Sequence, residues 1–365
     1  MVDVEKVKAA MRKKPRTTKR GSRNLSTGST LLNLAISGNA RIGFSEGQYV
    51  LFVGDTSSGK TWLSLTCFAE AAINEVFKDY RLIYDNAENG ALMDMGFFFG
   101  DKAAKRIEAP RYDDDEPVFS RTIEDFYYNV DDALEEETPF VYILDSVDAL
   151  TSEPEEKKFG EHKEASRSPK KKKPKGDYGD GKAKISSRNL RKVVGELEQS
   201  RSILIILNQT RDNIDAGLFE SKKTRSGGWA LEFYAHVVMW SSVGGHLKRS
   251  YKGKDRELGI NSRIRVKKNR VTGRQRIVTV PIYHSFGIDD VGSCVDYLVE
   301  EKVWKKNSNG VITATKIGPT VETKRDKLIK IIEERELQDD IQDLVQQTWD
   351  DIEEACRVER KSRYR

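Results

Sequence analysis

Gly54-Asp55-Thr56-Ser57-Ser58-Gly59-Lys60-Thr61 has the spacing G-x-x-x-x-G-K-[ST] and follows the apolar run Tyr49-Val50-Leu51-Phe52-Val53. The two glycines let backbone N–H groups turn inward around phosphate oxygens. Lys60 is placed to reach β- and γ-phosphates, and Thr61 to offer its hydroxyl to Mg²⁺. The segment from Trp62 to Glu75 reads as a helix, so the positive end of its dipole faces the same phosphates.

Three more strand ends carry polar groups suited to that ligand. Phe140-Val141-Tyr142-Ile143-Leu144 ends in Asp145. A carboxylate at the end of a buried strand is costly unless partnered. Beside a phosphate loop the natural partner is Mg²⁺ through a bound water, the Walker B position. Asp148 either assists or starts the next segment. Tyr84-Asp85-Asn86-Ala87-Glu88 ends another strand with carboxylates able to accept a proton from, or orient, an attacking water. Glu88 is the first choice for that role and Asp85 the second. The strand at 203–207 ends in Asn208-Gln209. An amide there either hydrogen-bonds a γ-phosphate and shifts when it leaves, or is an ordinary turn residue.

The elements that must bring these ends together follow from the hydrophobic pattern. Fully apolar runs at 49–53, 81–85, 140–144, 203–207 and 236–240 fit parallel strands buried on both faces. Helices are expected at 60–77, 122–135 and 185–200. Their alternation with the strands predicts an α/β fold, a mostly parallel sheet covered by helices on both faces. Later strands near 262–268 and 275–283 alternate in polarity and are expected to pair antiparallel. Residues 1–24 read as a basic arm, 25–320 as the core and 321–365 as a charged helical appendage. Within the arm, Val4, Val7, Ala10 and Met11 have near-helical spacing. The stretch 151–184, rich in Glu, Lys, Gly and Pro, reads as a long mobile loop.

The 365 residues are 37% hydrophobic and 33% charged, lean but globular, with a net charge of +5. The charge is segregated. Lys6, Lys8, Arg12, Lys13, Lys14, Arg16, Lys19, Arg20 and Arg23 form one basic block, and Lys170 to Lys173 with Lys175 form another. An acidic stretch runs from Glu333 to Glu354. Such blocks are solvated interaction segments, and basic ones attract nucleic-acid phosphates. Cys67, Cys294 and Cys356 are far apart, with no zinc-ligand spacing, which favours a reducing cytosol. No apolar run is long enough to span a bilayer, and no secretory signal is evident. The expected location is cytoplasmic, with no membrane partner.

With its strand ends filled this way, the chain resembles the RecA family of homologous-recombination ATPases. Ser26-Thr27-Gly28-Ser29 with Leu31 and Leu34 resembles the family's lead-in, and Gly54 to Thr61 its phosphate loop. Leu144-Asp145-Ser146-Val147-Asp148-Ala149-Leu150 resembles its Walker B strand and exit. Leu207-Asn208-Gln209-Thr210-Arg211 resembles its sensor strand. Gly227-Gly228-Trp229-Ala230-Leu231-Glu232-Phe233-Tyr234-Ala235 resembles the stretch after its second DNA-binding loop. Arg265-Val266-Lys267-Lys268-Asn269-Arg270 resembles the strand that reaches a neighbouring subunit's nucleotide. The six motifs lie in family order over residues 25 to 317.

The resemblance implies a P-loop NTPase core and a DNA-dependent ATPase that hydrolyses ATP to ADP and phosphate with Mg²⁺. Lys60 and Thr61 would hold phosphate and metal, Asp145 would support the metal, and Glu88 would activate water. Gln209 would sense the γ-phosphate. Lys268 and Arg270 would act in trans on ATP held by the adjacent protomer. A second DNA-binding loop, 210–228, would use Arg211, Phe219, Lys222, Lys223, Arg225, Gly227 and Gly228. The first would lie within 151–184. The implied activity is a filament on single-stranded DNA that pairs it with homologous double-stranded DNA in recombination and repair, alongside single-strand-binding or loading proteins. Two rivals are a regulatory ATPase of the same fold without strand exchange and a hexameric helicase-type motor. The chain departs from the family in its short N-terminus, long first loop, inexact Asp85-to-Glu88 motif, missing adenine-stacking aromatic and unplaced C-terminus. Such divergence fits a bacteriophage-type member.

Overall fold

The structure is a computed structural model and describes residues 23–90, 93–167, 181–212, 223–225 and 228–360. A ten-stranded sheet forms its centre. Numbered along the chain, its strands are β1 (Tyr49–Gly54), β2 (Arg81–Asp85), β3 (Ile107–Glu108), β4 (Phe140–Leu144), β5 (Ile203–Asp212), β6 (Lys223–Arg225), β7 (Val237–Tyr251), β8 (Lys254–Asn269), β9 (Ile277–Tyr283) and β10 (Gly287–Ile288). Their spatial order is β10-β9-β8-β7-β1-β5-β4-β2-β3, with β6 paired to β5. Strand β1 is parallel to both β5 and β7, and the run continues parallel through β4, β2 and β3. The β7, β8, β9 and β10 pairings are antiparallel, as the alternating patterns predict.

Continuous apolar strands are needed because the sheet separates two cores. Val50 and Phe52 of β1 face one, with Val141, Ile143, Ile205 and Leu207. Tyr49, Leu51 and Val53 face the other, with Tyr142, Leu144, Leu204 and Ile206. The period-2 alternation of a strand therefore finds an apolar environment on both sides.

The helices of seven residues or more are α1 (Thr30–Ser37), α2 (Lys60–Ile73), α3 (Ile123–Glu135), α4 (Glu153–Arg167), α5 (Gly181–Ser200), α6 (Gly228–Tyr234), α7 (Asp290–Glu300), α8 (Arg325–Glu334) and α9 (Gln338–Ala355). Residues of α1, α2, α7, α8 and α9 fill the first core. Residues of α3, α5 and α6 fill the second. Thr122 and Asp125 close a capping box at the start of α3, which fixes its first turn against the strand ends. The C-terminal helices dock on the lead-in. Gln346 accepts from Ala40 N at 2.7 Å and donates to Gly38 O at 3.1 Å, while Arg41 pairs with Asp343 at 2.6 Å.

Two expectations change. The stretch read as a loop from 151 contains helix α4, and α5 begins at Gly181, before the expected 185. Glu155 accepts from Ser152 N at 3.0 Å at the start of α4, and Glu153, Lys157 and Glu161 stand four residues apart with alternating sign. None of its residues is buried, so no apolar stripe announces it. The strand expected at 236–240 continues as β7 to Tyr251, because β8 pairs along all of it. The basic arm to residue 22, the lysines at 170–175, and Phe219, Lys222 and Gly227 lie outside the described residues. Among the described residues no helix is long and apolar enough to cross a membrane.

Candidate functional site

The phosphate loop joins β1 to α2 and is braced from behind by the antiparallel strands. Ser58 Oγ and Ser241 Oγ are 2.7 Å apart, and Ser262 Oγ donates to Ser58 O at 2.6 Å. There is no room for a side chain at Gly54, where a Cβ would meet Ser241 Oγ at 2.0 Å. Gly59 has φ +90° and a Cβ there would meet Ile282 Cδ1 at 2.4 Å. It caps α2 without any side-chain hydrogen bond, so the first N–H groups of the helix remain for an anion.

A cleft of about 340 Å³ opens over this loop, lined by Thr56 to Trp62, Glu88, Asp145, Gln209, Ile260, Ile282 and His284. Lys60 is buried there, and its Nζ donates to Gly54 O at 3.0 Å and Asp55 O at 2.8 Å. Burial holds its pKa below the usual lysine range, against the pull of Asp145 and Glu88. Thr61 Oγ1 donates to Asp145 Oδ2 at 2.8 Å and Tyr84 OH donates to the same oxygen at 3.1 Å. Burial pushes the Asp145 carboxyl up; these two bonds oppose the rise and the charge of Glu88 adds to it. A buried ammonium, an uncapped helix start and a pair of carboxylates in one cleft form a donor set that suits a phosphate chain with a divalent cation.

The two carboxylates of the β2 end have different surroundings. Asp85 is fully buried outside the cleft lining. It accepts from Ser120 N at 2.9 Å, Ser120 Oγ at 2.6 Å and Tyr142 OH at 2.8 Å. Burial raises its pKa, and those bonds hold it down in part. Glu88 lies past the strand end and faces the cleft. Its backbone N donates to Asp145 O at 3.0 Å, its Oε1 accepts from Gln209 Nε2 at 2.8 Å, and Ser146 Oγ donates to the same oxygen. Geometry thus separates the first choice for water activation from the second.

Beyond Gln209 the chain leads to the expected second loop. Gln209 N donates to Asp148 Oδ2 at 2.5 Å, and Arg211 lies 3.8 Å from Asp148. Asp55 of the phosphate loop accepts from Thr210 Oγ1 at 2.5 Å and pairs with Lys223 Nζ at 2.5 Å. Burial alone would raise the Asp55 pKa; the bonds from Lys223 and Thr210 more than offset it and hold the carboxyl low. Arg225 pairs through its backbone with Thr210. Gly228 opens α6 with φ +72°, where a Cβ would meet the Ala183 Cβ of α5 at 2.7 Å. The residues that close the two expected loops therefore meet.

Lys268 and Arg270 do not line this cleft. Lys268 Nζ donates to Glu232 O and Phe233 O at 2.7 Å each, and Arg270 donates to Phe233 O at 2.9 Å. Burial lowers the Lys268 pKa and Arg270 lowers it further, against Glu232. Tyr84, Ser146, Ile260, Ile282 and His284 were not singled out in the sequence as members of the site. Ser146 and Tyr84 sit beside chosen carboxylates. Ile260 arrives on β8, Ile282 on β9 and His284 just after it, and no local spacing marks them.

Comparison with known proteins agrees with this arrangement. The family model described as the RecA N-terminal domain matches residues 140–289, from β4 to the end of β10. Protein RecA of Chlorobaculum parvum is 29% identical over 292 residues, covering 77% of this chain and 71% of the relative. Protein RecA of Dichelobacter nodosus is 27% identical over 288 residues, covering 78% and 71%. Protein RecA of Rubrobacter xylanophilus is 29% identical over 295 residues, covering 78% and 72%. The chain is thus similar to RecA proteins over more than three quarters of its length.

Proposed function

We propose that this RecA-family chain is a DNA-dependent ATPase that polymerises on single-stranded DNA and pairs it with a homologous duplex. The observation that carries the reading is the connection between cleft and loop. One segment, Gln209 to Asp212, touches Glu88 through its first side chain and the phosphate loop through Thr210, then runs into 213–222. A change of phosphate state in the cleft then bears directly on the segment proposed to hold DNA.

In this proposal Lys60 and the N–H groups at the start of α2 bind the phosphates of ATP, and Thr61 with Asp145 holds Mg²⁺. When bound, the ion draws charge from the phosphate oxygens. Glu88 orients the attacking water and accepts its proton. Gln209 reads the terminal phosphate at the expense of its bond to Glu88. Lys268 and Arg270 serve the nucleotide of the next protomer. Their absence from this chain's own cleft supports that assignment, since cations supplied across an interface make nucleotide part of the subunit contact. Arg211, Lys222, Lys223 and Arg225 as cations, Phe219 as wedge and Gly227-Gly228 as the turn form the DNA-binding loop.

Electron microscopy of the protein with magnesium, a non-hydrolysable ATP analogue and a single-stranded oligonucleotide tests filament formation, and a strand-exchange assay tests pairing. Helical filaments and joint molecules are the expected results. DNA-stimulated hydrolysis without joint molecules would favour the regulatory alternative. Closed rings that unwind duplex with a direction would favour the helicase-type motor.

A further inference from the structure

A cavity of about 560 Å³ lies where β9, α7 and α9 meet, and it shares no lining residue with the nucleotide cleft. Strand β10 covers β9 only at Ile282 and Tyr283, so among the described residues the edge before them has no strand beside it. Val266 N donates to Arg276 O, which turns the backbone of Arg276 toward β8. The alternation of an antiparallel pair then turns the N–H and C=O of Ile277 and Thr279 the other way, along the cavity. Natural proteins tend to cover such edges, because the unpaired groups take up a further backbone.

The helical wall of the cavity is acidic and apolar together. Its carboxylates are Asp296, Glu300 and Glu301 from α7 and its end, and Glu353 from α9. Asp296 is held by Arg325 at 2.8 Å, and Glu353 pairs with Arg274 and Arg276. Among the described residues Glu300 and Glu301 have no ion pair. Beside them stand Tyr297 and Trp349, with ring centroids 6.3 Å apart, and the exposed side chains of Ile277 and Ile352. The Arg276 guanidinium already sits 5.7 Å from the Trp349 ring centre, so this wall takes a cation on an aromatic face. Two uncompensated carboxylates, apolar side chains and a strand edge together suit a peptide segment that is basic and partly apolar.

We propose that this groove holds the basic arm of the same chain, through residues 6–14. Lys6-Val7-Lys8-Ala9-Ala10-Met11-Arg12-Lys13-Lys14 carries five cations and no acid, with Val7 and Met11 among them. The cations would meet Glu300 and Glu301, and the apolar side chains would cover Ile277 and Ile352. The tether is long enough. Arg23 and Leu31, which lines the cavity, are eight residues apart, so at most about 29 Å separates them. The nine steps from Lys14 to Arg23 reach about 32 Å. A short flexible tether holds its end at an effective concentration of about millimolar, which favours a chain's own arm over one from a second copy at ordinary protein concentrations. An arm held there keeps its cations from nucleic-acid phosphates, and salt releases it.

The test uses the full chain without DNA or nucleotide. Equal parts of unlabelled and heavy-isotope-labelled protein are treated with a zero-length carbodiimide, which joins lysine amines to carboxylates in contact with them. Links from Lys6, Lys8, Lys13 or Lys14 to Glu300 or Glu301 should join light to light or heavy to heavy. They should fall by roughly tenfold in about 1 M salt, where the screening length is about 3 Å. Deuterium uptake is the second readout. It should quicken by about fivefold at Ile277 and Thr279 in Glu300→Gln with Glu301→Gln. The same rise is expected when Lys6, Lys8, Arg12, Lys13 and Lys14 are all changed to Gln, and combining the two sets should add little, as groups in one contact require. Lys302→Gln, one position past the acids, should move neither readout. Arm links that avoid Glu300 and Glu301, or uptake unchanged in both sets of variants, overturn the proposal. Links that mostly join light to heavy overturn it in favour of an arm supplied by a second copy.

Discussion

Gln209 Nε2 donates to Glu88 Oε1 at 2.8 Å, across 121 positions of sequence. The bond joins the carboxylate proposed to activate water to the amide proposed to sense phosphate. Gln209→Ala should leave basal hydrolysis within about threefold and cut its stimulation by single-stranded DNA by roughly tenfold, a loss of about 1.4 kcal/mol in coupling. Initial rates with and without oligonucleotide give the ratio. Unaltered stimulation would break the proposed link.

Glu88→Gln keeps the shape of that contact and removes the base. We expect stimulated kcat to fall by about 100-fold or more, with nucleotide affinity nearly unchanged. Asp85→Asn is the contrasting substitution. Its carboxylate serves Ser120 and Tyr142, so the variant should lose thermal stability and keep most activity per folded molecule. A larger kcat defect for Asp85→Asn than for Glu88→Gln would reverse the assignment.

Asp145 gives a pH test. Burial raises its folded-state pKa, so the folded protein holds this proton to higher pH than the unfolded chain does. Stability from the group is greatest below the unfolded-state value near 4 and is lost as pH rises through the folded value. Asp145→Asn removes that loss. Without nucleotide the variant should melt higher than the parent at neutral pH, by roughly 2 °C or more, and the gap should close toward about pH 4. Magnesium should add nothing to its stabilisation by ATP. A parent that melts higher at neutral pH would refute the account.

Asp55 ties the phosphate loop to both strands at the base of the second loop, through Thr210 and Lys223. Asp55→Asn keeps a bond to Thr210 and loses the charge pair. ATP-dependent gain in single-strand affinity should shrink by about fivefold, within the usual span of coupling energies. Fluorescence anisotropy with and without a non-hydrolysable analogue measures it.

Action in trans is testable by mixing. Lys60→Ala lacks a phosphate ligand, and Arg270→Ala lacks the proposed neighbour's cation. Each alone should be nearly inactive. Random co-assembly through a head-to-tail interface leaves about one contact in four with both groups intact, so an equal mixture should recover about a quarter of the activity. A mixture as inactive as its parts would place Arg270 outside the neighbour's site.

Much of this molecule was legible from neighbours in sequence. The phosphate loop, Asp145 at its strand end and the apolar strands are local patterns, set by glycine geometry, residue period and the cost of burying charge. Type and order of elements followed because a strand apolar on both faces requires two cores. What local pattern could not supply was which distant groups meet. Asp85 and Glu88 are three residues apart with the same chemistry, and only Ser120 and Tyr142, folded over Asp85, remove it from the cleft. Ile260, Ile282 and His284 close the cleft because β8 and β9 pair beside it. Helix α4 carries no apolar stripe, so a reading based on hydrophobic period missed it.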